Sequence, residues 1–287
     1  MDSKPGSSIF VPAAAGSVSG AGALYSALVG WTASKALPAR LRAFAYRAFA
    51  RAVGANLEET ELALHEYPSL GDFFARRLRE GARTVEPAPD AIISPCDGVI
   101  AALGLVAEGS LVQAKGRDYR LEDLIADEVW ASRLAGGAYV TIYLAPRDYH
   151  RVHAPVSGEL VRYDYLPGAL WPVNPRFAAR RDALLARNER VVIRLNAGRV
   201  GHVAVVMVGA AGVGNMTLAH GPGSASLRKA NERRRIELAV PTERGDELGA
   251  FRLGSTVVLI FEPGVAQLAS VAVGDAVKFG ERIGGHA

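Results

Sequence analysis

Ser255 follows Gly254 in the stretch Phe251-Arg252-Leu253-Gly254-Ser255-Thr256, ahead of an apolar run at 257–261. A serine hydroxyl so placed can reach the carbonyl carbon of the residue before it. Glycine at 254 removes the Cβ that would crowd that carbonyl and tolerates a strained backbone. Attack there exchanges the amide for an ester. A base then takes the Ser255 α-proton, and the ester is eliminated. Hydrolysis of the resulting dehydroalanine leaves a pyruvoyl group at the head of the downstream chain. In isolation, Gly254-Ser255 also reads as a bulge or tight turn inside a strand.

Such chemistry needs a base and a group that orients it. The segment Pro146-Arg147-Asp148-Tyr149-His150-Arg151-Val152-His153-Ala154-Pro155 supplies His150 and His153. An imidazole is partly neutral near pH 7 and can serve as general base or acid. The His-x-x-His spacing also occurs at metal sites, but the chain has no second cysteine and no carboxylate placed as in the helical zinc motif. No metal is therefore expected. Asp97, in Ser94-Pro95-Cys96-Asp97-Gly98, reads either as a turn residue before glycine or as the carboxylate that holds His153 in one tautomer.

The elements that must carry these residues divide the chain at 66/67. Residues 5–34 hold no charged side chain, and the stretch includes Trp31. It is too rich in Gly, Ser and Ala for a spanning helix and is either a loose tail or a segment that dips into a membrane interface. The spacing predicts a helix over 37–54. Arg40, Arg47 and Arg51 fall within about 40° on its surface. Leu41, Ala45, Ala48, Phe49 and Ala52 form a broad apolar face. Asn56 and Glu59 resemble a capping box ahead of 62–64, and Ser69 can cap a helix over 70–78. From 91 onward the texture is β, with strands expected at 98–105, 138–145, 158–165, 190–195, 200–208 and 253–261. Two phrases, at 94–99 and 154–159, each place a proline three residues before a glycine that opens a strand, as two related turns would. The expectation is an α+β fold: residues 1–66 form an N-terminal helical membrane-association segment, and residues 67–287 a mostly antiparallel, β-rich catalytic domain.

With 287 residues and 49% hydrophobic side chains the chain can bury a sizeable core. Its single cysteine excludes internal disulfides. A net charge of +4 is a mild basic bias that favours anionic lipid. No Lys/Arg run or basic-aromatic interleaving marks a nucleic-acid binder, so no nucleic acid is expected as a partner.

In order along the chain stand Phe73-Phe74-Ala75-Arg76, Gly81-Ala82-Arg83, Ser94-Pro95-Cys96-Asp97-Gly98, Gln113-Ala114-Lys115-Gly116 with Tyr119, and the double-histidine segment. Leu166-Pro167-Gly168, Trp171, Val173-Asn174, Asn188-Glu189-Arg190, Val208-Gly209-Ala210 and Leu253-Gly254-Ser255-Thr256 follow. This series, spanning about 31 to 264, resembles the bacterial phosphatidylserine decarboxylase family. It departs from the family at Cys96, where alanine is frequent, and at Trp171, where phenylalanine is frequent; neither change removes a catalytic group.

The resemblance implies self-cleavage between Gly254 and Ser255, with Ser255 as nucleophile and precursor of a covalent pyruvoyl cofactor and no metal. His153 and Asp97 resemble its triad partners, and His150 resembles the proton donor in decarboxylation. Trp171 and Asn174 then fall where substrate binds, and Trp31, Arg40, Arg47 and Arg51 where the protein meets the membrane. The lipid amine would form a Schiff base with the pyruvoyl carbonyl, which takes up the electrons as CO2 leaves and phosphatidylethanolamine forms. Implied partners are phosphatidylserine, anionic membrane lipid and the two cleaved chains of the protein itself, with a homodimer compatible. The implied location is the cytoplasmic side of the cell membrane, peripherally bound. A pyruvoyl decarboxylase of a soluble amino acid and a non-catalytic lipid-binding module are the rival readings.

Overall fold

A computed structural model describes residues 35–286 apart from 115–116, 211–215, 223–231, 253–254 and 269. Trp31 and Gly254 lie outside the described residues. Among the described residues the helices are α1 (Ala39–Val53), α2 (Leu70–Phe74), α3 (Leu121–Ile125), α4 (Glu128–Leu134), α5 (Pro175–Ala178) and α6 (Leu184–Arg187). The strands are β1 (Ala91–Ile93), β2 (Gly98–Leu105), β3 (Ser110–Ala114), β4 (Arg117–Arg120), β5 (Ala138–Leu144), β6 (Arg151–His153), β7 (Gly158–Leu166) and β8 (Arg190–Asn196). They continue as β9 (His202–Val208), β10 (Met216–Leu218), β11 (Arg234–Thr242), β12 (Glu247–Phe251), β13 (Ser255–Phe261), β14 (Ala266–Gln267), β15 (Ala276–Val277) and β16 (Arg282–His286).

The main sheet runs β11-β7-β8-β9-β13-β5-β2-β15, every pair antiparallel. The expected α+β architecture is what forms. Val257, Val258, Leu259, Ile260 and Phe261 are all fully buried on β13. A strand apolar on both faces must be covered on both, and β13 accordingly sits inside the sheet between β9 and β5. A smaller sheet, β10-β12-β6, carries the double-histidine segment beside the chain that leads into β13. A third, β1-β16-β14, ties the C-terminal end to the start of the β region.

The two proline–glycine phrases bond to each other. The His153 amide donates to the Pro95 carbonyl at 2.8 Å, and the Ile93 amide to the Pro155 carbonyl at 3.1 Å. Both glycines open strands against backbone: a Cβ would stand 2.6 Å from the Tyr143 oxygen at Gly98 and 2.5 Å from the Asn196 oxygen at Gly158. Any side chain there would push the first residue of β2 or β7 off its neighbour.

The N-terminal helix forms as expected and ends at Gly54 in the left-handed conformation. Its packed face differs from the expected one. Tyr46 and Ala50 are buried, whereas Leu41, Ala48 and Ala52 are exposed. Tyr46 stacks flat on Phe73 with ring centroids 5.0 Å apart, and its hydroxyl donates to the Tyr67 carbonyl at 3.0 Å. These aromatic contacts set the helix rotation, and they join residues on both sides of position 66 into one small core. Ser69 caps α2 as expected, bonded to the Asp72 amide at 3.1 Å. The helix stops at Phe74, and Leu78 instead bridges Thr60. No helix forms over 62–64; Leu64–Glu66 makes one 3-10 turn, and Glu59 turns to Arg83.

Candidate active site

Ser255 opens β13, where it pairs with Leu144 at the end of β5. It is fully buried, and its Oγ has no hydrogen-bond partner among the described residues. A buried hydroxyl left without a partner costs free energy that an inert position would not retain. A nucleophile waiting for its electrophile fits that condition.

His150 precedes β6, and its carbonyl accepts the Phe251 amide at 2.9 Å. Four residues further on, the same chain reaches Ser255. The imidazole is fully buried, with its ring centroid 4.5 Å from that of Phe74. Among the described residues neither ring nitrogen has a partner at full hydrogen-bond geometry, although the Ala145 backbone comes close enough to favour the charged ring slightly. Ala145 adjoins Leu144, so the end of β5 borders both Ser255 and His150. Burial, reinforced by the Arg76 guanidinium, lowers the His150 pKa to about 3. Arg76 itself is buried, donating from Nη2 to the Arg147 and Asp148 carbonyls at 3.2 and 3.3 Å.

His153 ends β6 and is bonded at both nitrogens. Nδ1 meets the Gly245 carbonyl at 2.7 Å, and Nε2 meets the Tyr149 hydroxyl at 3.0 Å. A carbonyl only accepts, so Nδ1 carries the proton and Nε2 presents its lone pair to the tyrosine. Burial keeps the Tyr149 hydroxyl protonated, raising its pKa. The His153 ring stacks on Phe279 at 3.7 Å. Burial lowers its pKa to about 4, against the pull of the Gly245 carbonyl.

Asp97 does not touch His153 directly here. Its carboxylate takes Arg83 Nε at 3.1 Å and Nη2 at 2.5 Å, and the Phe279 amide at 2.9 Å. The tautomer-fixing contact expected of Asp97 is made by Gly245. Asp97 and His153 are linked through Phe279, whose amide binds one and whose ring stacks on the other, and through the His153–Pro95 backbone bond.

Trp171 is half-buried beneath the Arg181 guanidinium at 4.2 Å, with its backbone held on both sides by the Asn188 side chain. Asn174 is exposed, and its Oδ1 caps the turn at the Phe177 amide, 3.0 Å away. Arg40, Arg47 and Arg51 are exposed on α1. Among the described residues no group of three or more His, Cys, Asp or Glu side chains could hold a metal ion, and no helix is long and apolar enough to cross a membrane.

Sequence reasoning quoted Arg83 and Arg76 only as motif letters and gave no role to Tyr149, Gly245 or Phe279. Tyr149 was reachable, since it stands next to His150. Gly245 and Phe279 lie 92 and 126 positions beyond His153, and only the register of β6 on β12 brings Gly245 alongside.

A family model described as phosphatidylserine decarboxylase matches residues 70–285. The chain is 46% identical to the phosphatidylserine decarboxylase proenzyme of Anaeromyxobacter sp. (strain K), over 91% of this chain and 92% of that one. It is 39% identical to the one of Myxococcus xanthus, over 90% and 92%, and 41% identical to that of Brevibacillus brevis, over 76% and 79%. With coverage of this extent the chain belongs to the phosphatidylserine decarboxylase family and is an enzyme of the decarboxylase class.

Proposed function

We propose that this enzyme cuts its own backbone between Gly254 and Ser255, converts Ser255 to a pyruvoyl group, and decarboxylates phosphatidylserine to phosphatidylethanolamine. The observation that carries the reading is the Ser255 hydroxyl, fully buried and without a hydrogen-bond partner among the described residues, at the head of the central strand. The relatives' printed description as proenzymes supports it.

Asp97, His153 and Ser255 are the self-processing groups. Ser255 Oγ adds to the Gly254 carbonyl carbon, and the Ser255 nitrogen leaves as an amine, taking up the hydroxyl proton. Removal of the α-proton expels the Gly254 carboxylate and leaves dehydroalanine. Water then displaces the nitrogen as ammonia, and a keto group remains. His153 is ready as base because its Nε2 lone pair is exposed to a donor; Ser255 must replace Tyr149 there. Once formed, the pyruvoyl carbonyl supplies an electron sink as CO2 departs. His150 then carries the proton to the substrate carbon. Burial keeps it neutral beforehand, and the carboxylate of an arriving serine headgroup would raise its pKa.

Phosphatidylserine in an anionic membrane surface is the proposed partner, met from the cytoplasmic side by peripheral binding. Support comes from α1, where Leu41 and Phe44 are exposed on the surface that carries Arg40, Arg47 and Arg51. Trp171 lines an open cavity with Arg180 and Arg187, a charge pattern suited to the lipid phosphodiester. The test is intact mass spectrometry beside CO2 release. Active protein that remains one uncleaved chain refutes the reading, and Ser255→Ala is expected to leave one chain and no turnover.

A further inference from the structure

The chain enters and leaves the proposed cleavage point under restraint on both sides. Downstream, Ser255 and Thr256 are paired within the main sheet, with Leu144 and Val208. Upstream, Phe251 closes β12, fully buried, and its amide donates to the His150 carbonyl at 2.9 Å. Arg252 is the first residue past that anchor and the last charged side chain before Gly254-Ser255. Its Nη2 forms an ion pair with Oδ1 of Asp72 on α2.

Asp72 is itself a fixed partner. Its Oδ2 accepts the Ser69 hydroxyl at 2.6 Å and the Ser69 amide at 3.2 Å, the reciprocal half of the α2 cap. The cap thus uses one carboxylate oxygen and leaves the other for Arg252. A single helical turn is not stable alone, but α2 is pinned by its own rings. Phe73 and Phe74 are buried, and Phe73 packs on Tyr46 at 5.0 Å and on Tyr67 at 5.6 Å. The Arg252 and Asp72 side chains are 33% and 32% exposed. An ion pair so open to water adds little to stability. Its effect is on placement: it ties the segment beyond β12 to an element outside the β10-β12-β6 sheet.

Resting on the self-cleavage proposed above, we propose that Asp72, acting through Arg252, is a positioning residue for that step. It holds the 252–254 segment so that the Gly254 carbonyl carbon lies within reach of Ser255 Oγ. The role is placement, not proton transfer. Attack across one peptide unit depends on placement, and a misplacement of about 1 Å can cost about 10²-fold in rate.

The test follows cleavage of the full-length chain after pulse-labelled cell-free synthesis. Asp72→Asn retains an oxygen for Ser69, and Arg252→Met removes the pair without touching the cap. Each is expected to slow cleavage about tenfold, within the range that misplacement allows. Arg252→Lys keeps a point charge and is expected to restore most of the rate. The double variant is expected to be no slower than either single one, because one contact can be lost only once. Hydroxylamine takes the Gly254 acyl group from the ester and frees the Ser255 hydroxyl, so it reports ester formation alone; with it the variants are expected to stay slow. Wild-type rates in both single variants, or effects that multiply in the double one, overturn the inference. So does hydroxylamine cleavage of Arg252→Met at the wild-type rate, since the ester would then form normally. A wild-type chain that never cleaves overturns the self-cleavage reading instead.

Discussion

Arg83 grips Asp97 through both carboxylate oxygens, Nε to Oδ1 at 3.1 Å and Nη2 to Oδ2 at 2.5 Å, and the same Nη2 reaches Glu59 at 2.9 Å. The Asp97 side chain is about nine-tenths buried, as is that of Arg83. Removing one member of a buried pair leaves an uncompensated charge, at a cost of about 3–5 kcal/mol. Arg83→Ala is therefore expected to lower the free energy of unfolding by an amount in that range, read as a fall in the urea midpoint. Arg83→Lys should fall between, because an ammonium cannot span both oxygens of the carboxylate. Equal midpoints for wild type and Arg83→Ala would show that the pair adds no net stability.

Self-cleavage would make residues 255–287 a separate chain, yet β13 lies between β9 and β5 with five fully buried apolar side chains. Each contributes about 1.5–3 kcal/mol. The small chain also supplies β16 to β1 and the Phe279 amide to Asp97. The two chains are expected to co-elute on native size exclusion and to separate only in denaturant. A small chain that dissociates in native buffer would contradict this placement of β13.

The central strands were legible because a continuous Val/Ile run between turn residues has few alternatives, and β2 is observed with the bounds read from sequence. The short strands β10, β12 and β6 were not, since their pairing depends on partners far along the chain. At the candidate site, residue types singled out Ser255, His150, His153 and Asp97 for proposed roles. Their partners were hidden, because a backbone carbonyl such as that of Gly245 leaves no mark in composition. The rotation of α1 was misread because the aromatic stack of Tyr46 on Phe73 outweighed the small Ala side chains of the wider face.

The two buried histidines predict acid sensitivity. An unfolded histidine titrates near 6.5, about 6.5 being its usual value, while burial places His150 at about 3 and His153 at about 4 in the fold. As pH falls through about 6.5 the unfolded chain binds protons that the folded one refuses, so stability declines with falling pH. The decline continues until the folded pKa values are reached, at up to about 1.4 kcal/mol per pH unit for each ring. Urea midpoints at about pH 7 and about pH 5 measure the slope. His150→Phe is expected to flatten it. A variant slope equal to that of wild type would mean that His150 is not a source of the acid sensitivity.

The membrane contact proposed for α1 would combine exposed Leu41 and Phe44 with three arginines. Each basic residue near an anionic surface contributes about 1 kcal/mol, and salt screens it. Replacing Arg40, Arg47 and Arg51 together by Glu should abolish most binding to anionic vesicles at low salt. Phe44→Ala should weaken binding to neutral and anionic vesicles alike. Equal sedimentation of wild type with both vesicle types would rule out the arginine stripe as a lipid contact.

The histidines should separate by step. His153 has a fixed tautomer, Nδ1–H on the Gly245 carbonyl, and an Nε2 lone pair occupied by the Tyr149 hydroxyl. That is the state a base needs before a serine proton arrives. His153→Ala is therefore expected to accumulate uncleaved chain, and Asp97→Asn to slow cleavage by disturbing the Arg83–Phe279 frame on which His153 stacks. Tyr149→Phe removes the competing donor and should cleave at least as fast as wild type. His150 has no such frame among the described residues: Phe74 lies against its ring, with the end of β5 and the Arg76 guanidinium nearby. Among the described residues no hydrogen bond commits either of its ring nitrogens, so His150→Ala should cleave substantially yet decarboxylate poorly. General acid–base groups contribute about 10²–10⁴-fold, which sets the expected loss. Gel shift and CO2 release on the same preparations decide the matter. An uncleaved His150→Ala beside a normally processed His153→Ala would reverse the assignment, and normal behaviour of both would move the chemistry away from this pair altogether.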